Sequence, residues 1–280
     1  MKTFFLYIFC VVLIAALACS STSFPAPDPT AVPPMPQSVL PTEVVFTPIP
    51  TLTAVAPTSM PSPLSQSLVL QSSPFNETGN GPVYAITAQV PFLQGSDDPR
   101  IVGFNIRLSE LVQNEVNQFR SEILANQPVV PIMAGSSLDV KYTLIGQRGE
   151  IWSLKFDLYF YYDGAAHPGS YSITSNYDLE HGREITLDEL FLPNSNHLQV
   201  IADYCNVQLS TRDIGFDMFQ NGADPLPENY QRWNLSDEGF VITFDEYQVA
   251  PYAAGPQTVI APFSELQSII NPQGALVSFK

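Results

Sequence analysis

The chain has 280 residues, a formal net charge of −16 and only three cysteines. Beyond residue 80 it carries 24 acidic and 10 basic residues, a balance that argues against nucleic-acid binding and favours cationic partners. An acidic surface also keeps secreted proteins soluble, so charge alone does not identify a partner. The few cysteines exclude a small fold held together by disulfides, and no cofactor is predicted.

The first 18 residues are typical of a signal peptide. Lys2 precedes an apolar run from Phe4 to Ala18, which is shorter than the roughly 20 residues of a membrane span. Cys19 follows small residues, an arrangement similar to the bacterial lipobox, which implies lipid attachment at Cys19. We therefore expect an extracytoplasmic protein anchored to the membrane by an N-terminal lipid. Cleavage to a secreted form and an uncleaved anchor are the alternatives.

Residues 19–80 are predicted to form a disordered tether rich in Pro, Thr and Ser. Residues 20–75 contain 13 of the 26 prolines, and no Lys or Arg occurs between residues 20 and 80. Proline removes backbone donors and disfavours both helix and sheet, so such a segment acts as an extended spacer.

A first subdomain is predicted over residues 81–162. It begins with an alternating strand at 83–90, and a helix follows after a turn near Pro99. Two further strands are expected at 138–146 and 150–162. The apolar residues that recur at helical spacing are Leu108, Leu111, Val112, Val116, Phe119 and Ile123.

A second subdomain is predicted over residues 163–280. It has a strand at 170–177, a capping box from Thr186 to Glu189, a helix at 198–209 that buries Cys205, and a hairpin around 237–239. A short strand and a closing helix complete it. The predicted class is α+β, with antiparallel sheets, helices packed on one face and two small consecutive subdomains.

His167 is the residue best placed for catalysis, because Asp163 and Asp178 are nearby in the sequence. Ser170 and Ser172 lack the Gly-x-Ser-x-Gly context of an activated nucleophile. A histidine before proline in a turn more often fixes the loop or contacts a ligand. We therefore predict no catalytic residue, and keep a wall glycan or ester hydrolase that uses His167 as an alternative.

The three histidines also lack the spacing of a metal site. Residues 176–180 resemble the start of a calcium-binding loop. Gly182, however, comes one position late, and Leu187 stands where such a loop requires a bidentate Glu. No metal is predicted.

Aromatic residues are the better candidates for binding. Tyrosines with an exposed hydroxyl anchor interfaces, and exposed rings stack on sugars or on a partner's arginine. The alternative is a purely structural role, in which most of these rings pack beside the sheet. The candidate ligand-binding residues are Tyr162, His167, Tyr177, Tyr247 and Tyr252.

Four short motifs carry a family resemblance. They are GAAHP at 164–168, NYDL at 176–179, ITLDELF at 185–191 and FDEYQVAPYAAG at 244–255. In this order they resemble the RsiV/PdaC-type extracellular domain pair, whose function is uncharacterised and which occurs in an anti-sigma factor and a peptidoglycan deacetylase. The likeness covers roughly residues 81–272.

The resemblance implies a binding or sensing module, with lysozyme as the ligand in the anti-sigma branch. Three residues before the apolar segment leave no expected sigma-factor-binding part, and no deacetylase domain is recognised, so neither activity is carried over. We expect a non-enzymatic module that binds a cationic protein such as lysozyme, or peptidoglycan. A structural or assembly protein of the cell envelope is the remaining alternative.

Overall fold

The computed structural model describes residues 68–126, 135–214, 217–219 and 221–279. The predicted signal peptide, the lipid attachment at Cys19 and most of the tether lie outside these residues. Among the helices of the described residues, none combines the length and the apolar character that crossing a membrane requires.

A six-stranded sheet forms the first layer, with its strands hydrogen-bonded in sequence order. Its strands are β1 (Val69–Asn80), β2 (Val83–Gln94), β3 (Ser136–Arg148), β4 (Ile151–Tyr161), β5 (Gly169–Asp178) and β6 (Arg183–Glu184). The helix α1 (Pro99–Ala125) packs on one face of this sheet. The α+β class is therefore confirmed.

The expectation of purely antiparallel sheets is wrong at one strand pair. β2 and β3 pair in parallel, from Tyr84 opposite Ser136 to Ala88 opposite Val140, whereas the other neighbouring strands are antiparallel. The reason is α1, which lies between β2 and β3 in the sequence. This helix returns the chain to the end of the sheet at which β2 begins, so β3 runs in the same direction as β2. A helical crossover of this kind is what a parallel pair requires.

The start of α1 is set by its capping residues. Asp98 accepts a hydrogen bond from the backbone nitrogen of Arg100 at 2.9 Å, and Pro99 occupies the first turn, where its missing donor costs nothing. The predicted apolar stripe is confirmed as the buried face, with Leu111 half-buried at its margin. The fully buried residues of α1 are Ile101, Phe104, Leu108, Val112, Val116, Phe119 and Ile123.

The predicted tether is too long at its C-terminal end. Residues 69–80 form β1, which pairs with β2 along its whole length, from Val69 opposite Gln94 to Asn80 opposite Val83. Pro74 is tolerated within β1 because β1 is an edge strand, which is where proline is accommodated in sheets.

The predicted division at residues 162 and 163 also falls inside the sheet. β5 pairs with β4 from Phe160 opposite Gly169 to Ile151 opposite Asp178, and β6 pairs with β5, so the first layer extends to residue 184. The second layer contains a three-stranded sheet and α2 (His197–Ser210) around a separate core. Its strands are β7 (Trp233–Leu235), β8 (Phe240–Phe244) and β9 (Gln257–Ala261).

Local predictions for this second layer fare well. β7 and β8 form the expected hairpin, and Cys205 is fully buried in α2, where burial raises the pKa of its thiol to about 12. The Thr186 nitrogen donates to the Glu189 carboxylate at 2.7 Å, which confirms the half of the predicted capping box in which Glu189 reaches back. That box opens a 3-10 turn at Asp188–Leu190, not an α-helix, and the closing helix α3 is only Phe263–Leu266.

A buried polar network joins the two layers. The Ser153 hydroxyl donates to the Asn176 side-chain oxygen at 2.6 Å, and the Asn234 amide donates to the Ser153 hydroxyl at 2.9 Å. The Asn176 amide in turn donates to the Trp233 carbonyl at 2.8 Å. These three polar side chains are at most 4% exposed, so the network fixes how β7 crosses β4 and β5.

Candidate functional site

An acidic and aromatic pocket of about 210 Å³ opens between α1 and the ends of β3, β4 and β5. Such a volume is below the roughly 300–1,000 Å³ of pockets for drug-sized ligands, and it suits a single side chain. We call it the acidic pocket. Its lining residues are Glu115, Gln118, Phe119, Glu122, Leu138, Phe160, Tyr162 and Tyr171.

Helical and strand periodicity bring these side chains together. Glu115, Phe119 and Glu122 are separated by four and three residues, so they share one face of α1. Phe160 lies opposite, near the end of β4. Tyr162 stacks on Phe119 with ring centroids 5.5 Å apart and lies 5.3 Å from the ring of Phe160.

Two tyrosine hydroxyls hold the two carboxylates. Tyr162 donates to Glu122, and Tyr171 donates to Glu115. Burial raises the pKa of both tyrosines well above the usual value, and the hydrogen bonds to Glu122 and Glu115 add to this effect. Both phenols therefore remain protonated donors at neutral pH. Gln118 also donates its side-chain amide to Glu122 at 2.9 Å. Each carboxylate can still accept from a further donor, because its two oxygens offer about four lone-pair sites.

The chemistry of the acidic pocket favours a cation. Aromatic faces attract an ammonium or guanidinium group, and two carboxylates offer it charge-assisted hydrogen bonds. None of the eight lining residues, all of them within the described part of the chain, is basic. An incoming positive charge therefore meets no competing cation on these walls.

A second aromatic cluster lies on the surface, where two loops meet. His167, from the loop between β4 and β5, lies over Tyr252 with ring centroids 4.3 Å apart at 33°. Tyr247 stacks on Tyr252 at 5.8 Å and 28°, and its hydroxyl is 3.5 Å from His167 Nε2. We call these three rings the platform.

The loop that carries Tyr247 is held against the free edge of β5. The Glu246 carboxylate accepts from the Ser170 nitrogen at 3.1 Å and from its hydroxyl at 2.6 Å, while Asp245 accepts from the Ser172 nitrogen at 2.8 Å. Burial raises the pKa of Asp245, against the opposing effect of its hydrogen bond from Ser172. These carboxylates satisfy edge donors that would otherwise lack a partner strand.

The structure thus separates the five predicted site residues. Tyr162 lines the acidic pocket, while His167, Tyr247 and Tyr252 come together in the platform. Tyr177 is only 4% exposed and packs edge-on against Phe104 in the core of the first layer, so we leave it out of both sites.

Sequence reasoning missed Glu115 and Glu122. Their signal was present as two acids seven residues apart on a predicted helix, with Phe119 between them. Because the sequence pattern assigns the stripe containing Phe119 to the core, it indicates no role for the acids beside that stripe.

The structure does not assemble a serine nucleophile at His167. Ser170 and Ser172 donate their hydroxyls to Glu246 and Asp157, at 2.6 Å and 2.9 Å. Nδ1 of His167 hydrogen-bonds the adjacent Pro168 carbonyl at 2.8 Å, and its ring is exposed. The arrangement fixes the loop and presents the imidazole to solvent.

One group of side chains has ligand atoms close enough to hold a metal. Asp178, Glu180 and His181 place such atoms within 4.8 Å of one another, and Nδ1 of His181 is 2.7 Å from Asp178. Two of the three residues are exposed, and acidic surfaces often contain such groups without an ion. This cluster alone does not define a metal site.

Comparison with known proteins confirms the expected resemblance. Residues 188–264 match the family described as a protein of unknown function, DUF3298. The chain is 25% identical over 169 residues to the peptidoglycan-N-acetylmuramic acid deacetylase PdaC of Bacillus subtilis, covering 59% of this chain and 36% of that protein. Over 107 residues it is 26% identical to the immunogenic protein MPT64 of Mycobacterium tuberculosis, covering 38% of this chain and 47% of that protein.

A third relative is the esterase Rv3036c of Mycobacterium tuberculosis, 29% identical over 117 residues, which cover 38% of this chain and 50% of the esterase. The chain therefore spans half or less of the length of these relatives.

Two solved structures share the fold. A DUF3298 family member from Bacteroides fragilis superposes with a TM-score of 0.57 at 13% identity, covering 76% of this chain and 98% of that one. A DUF3298 family protein from Pseudomonas aeruginosa gives 0.51 at 17% identity, covering 74% and 96%. The α+β arrangement described above is thus that of DUF3298 structures.

Proposed function

We propose that this chain is an extracytoplasmic, cell-wall-associated binding module, without enzymatic activity, that captures a basic side chain of a cationic partner. The similarity to a peptidoglycan deacetylase and to DUF3298 proteins supports the association with the cell wall. A lipid on Cys19 and a proline-rich tether would hold the module at the membrane surface. The partner is a basic protein such as a lysozyme, or a wall component that bears an ammonium group.

The acidic pocket is the observation that carries this proposal. A lysine or arginine stem can pack against Phe119 and Phe160 while its charged end reaches Glu115 and Glu122. Cation–π contact contributes about 0.5–2 kcal/mol, and more where the site excludes water. The side chain is thus recognised by its charge and by its apolar stem together.

Long-range charge supports the same conclusion. The excess of acids beyond residue 80 creates a field that attracts basic proteins and raises their rate of association. Such steering weakens as salt screens it, whereas contacts within a partly buried pocket are screened less. Salt therefore separates capture by the whole surface from capture by the pocket.

Calorimetric titration with a lysozyme, at about 50 mM and about 500 mM salt, tests the proposal. The pocket variant combines Glu115→Gln with Glu122→Gln. Its charge-matched control combines Glu228→Gln with Glu238→Gln, on exposed acids of the second layer. We expect the pocket variant to bind about tenfold more weakly at both salt concentrations, and the control to change by about twofold at low salt only.

Equal losses in the two variants would show that binding follows net charge, and would remove the acidic pocket from the account. Absence of binding by the unmodified chain at either salt concentration would remove lysozyme as the partner. The unmodified chain and the same variants can then be titrated with lysine-containing peptides, and a lack of binding by the unmodified chain contradicts the proposed function itself.

A hydrolase is the second candidate, favoured by the similarity to an esterase and by the exposed His167. If His167 is its base, His167→Ala abolishes turnover of short-chain esters or of peptidoglycan fragments without lowering the Tm. Turnover that survives this substitution dismisses a role for His167.

A further inference from the structure

The four-residue turn Asp245–Gln248 is fixed from several directions. Gln248 donates its side-chain amide to the carbonyls of Gly222 and Asn229, both at 3.0 Å, and accepts from the Asp245 nitrogen at 3.2 Å. With Asp245 and Glu246 bonded to β5, three of the four side chains anchor the turn. Only Tyr247 takes no part in anchoring it.

Tyr247 instead points its ring outward from a strained backbone. Its φ is 65°, a left-handed conformation that is a marked outlier for a bulky residue. Its side chain remains 55% exposed, so burial of the ring does not offset that strain. Strain of this kind persists where the surrounding structure enforces it, and it concentrates at binding sites.

The platform is therefore a preorganised surface. Tyr252 at its centre stacks with both His167 and Tyr247, and the ring planes differ by only 33° and 28°. Because the turn is already fixed, a ligand that stacks here orders few additional groups, which favours affinity.

We propose that the platform is a carbohydrate-binding site, which stacks the C–H face of a neutral pyranose on the exposed ring of Tyr247, the ring that Tyr252 holds in place by stacking. The edge of the platform suits a sugar hydroxyl, which both donates and accepts. With its Nδ1 proton directed at the Pro168 carbonyl, His167 offers Nε2 as an acceptor, and the Tyr247 hydroxyl can donate. This site is separate from the acidic pocket, so each proposal can fail without the other.

Two other ligand classes fit the platform less well. A cation would need the nearest carboxylates, but Asp245 and Glu246 are held against β5, and Arg232 already lies 3.5 Å from the Asp245 carboxylate. A proline-rich peptide needs a groove between aromatic rings, whereas these three rings stack on one another. The exposed ring of Tyr247 offers the kind of surface on which the flat face of a sugar ring stacks.

Titration of the whole chain with chitotetraose and with cellotetraose, followed by the ring signals of tyrosine in NMR, tests this proposal. Tyr247→Ala is compared with Tyr159→Ala, which removes an equally exposed tyrosine from β4, where it faces Lys141. We expect Tyr247→Ala to weaken tetrasaccharide binding about tenfold, Tyr159→Ala to leave it unchanged, and salt to have no effect.

A second variant separates binding from folding. Asparagine tolerates the left-handed backbone better than tyrosine, so Tyr247→Asn should keep the Tm at or above that of the unmodified chain while losing tetrasaccharide binding. The proposal is overturned if neither tetrasaccharide binds, or if Tyr159→Ala weakens binding as much as Tyr247→Ala. Binding at the platform of only a proline-rich peptide, such as residues 24–41, likewise overturns it.

Discussion

The acidic pocket and the platform are built from the same kinds of residue but differ in what their carboxylates bind. In the pocket, Glu115 and Glu122 accept from tyrosine hydroxyls and keep acceptor capacity for a ligand. Beside the platform, Asp245 and Glu246 accept from the edge of β5. One acidic and aromatic composition therefore produces a concave site that suits a cation and an exposed aromatic site that suits a neutral ligand.

The two sites also differ in how they depend on the fold. The acidic pocket is made by α1, the first sheet and Tyr162, which directly follows β4. The platform takes His167 from a loop of the first layer, and Tyr247 and Tyr252 from the second. Changes that loosen the contact between the layers should therefore affect the platform and spare the pocket.

The largest expected effect comes from Phe119→Ala. Phe119 is 3% exposed and stacks on Tyr162, so its removal opens the wall of the acidic pocket. We expect the free energy of unfolding to fall by about 3 kcal/mol, and binding of a basic partner to weaken. Urea unfolding measures the first change and calorimetry the second. Loss of tetrasaccharide binding in a still-folded variant would show that the two sites are not independent.

A smaller effect is expected for Asn234→Ala, which breaks the network between the layers. Its amide donates to both the Ser153 hydroxyl and the Leu154 carbonyl at 2.9 Å, and these buried acceptors would lose a partner. We expect a cost of about 1–3 kcal/mol in urea unfolding, with weaker tetrasaccharide binding and an unchanged acidic pocket. Asn221→Ala on the surface is the control. Equal costs for the two variants would show that the network does not hold the layers together.

Sequence patterns predicted the parts of the fold that rest on local periodicity. The stripe of α1, the strand predicted at 150–162 and the hairpin of β7 and β8 are confirmed. The parallel pairing of β2 and β3 depends on the alignment of two strands that are distant in the sequence. The formation of β1 depends on pairing with β2. The composition of β1, with two Ser, two Asn, one Pro and one Gly in 12 residues, carries little signal without that strand.

The candidate sites likewise depend on tertiary packing that local sequence does not reveal. Tyr171 and Tyr177 project from the same face of β5 toward α1, yet Tyr171 meets Glu115 at the open pocket and Tyr177 meets the buried Phe104. Local sequence does not distinguish these two tyrosines, because position along α1 decides their exposure. His167 and Tyr247 are 80 residues apart, and only the packing of the two layers brings them together.

The smallest expected effect concerns pH and Asp245. Burial raises its pKa in the folded state, so this carboxyl lowers stability as pH rises from its unfolded pKa, about 3.9, through its folded pKa. Asp245→Asn removes that penalty and keeps an acceptor for the Ser172 nitrogen. The variant should therefore gain stability relative to the unmodified chain at pH 7 but not at about pH 3. Asp213→Asn, on an exposed carboxylate, should show no such difference between the two pH values.

The most direct test of the central claim is to locate a bound basic side chain on the whole chain by NMR. A short peptide with one lysine is added, and nuclear Overhauser contacts from its side-chain methylene protons are measured. The account predicts contacts with the ring protons of Phe119 and Tyr162, which disappear when Glu115 and Glu122 are both replaced by Gln. Contacts found only at other exposed rings, or contacts that survive the double replacement, would contradict it.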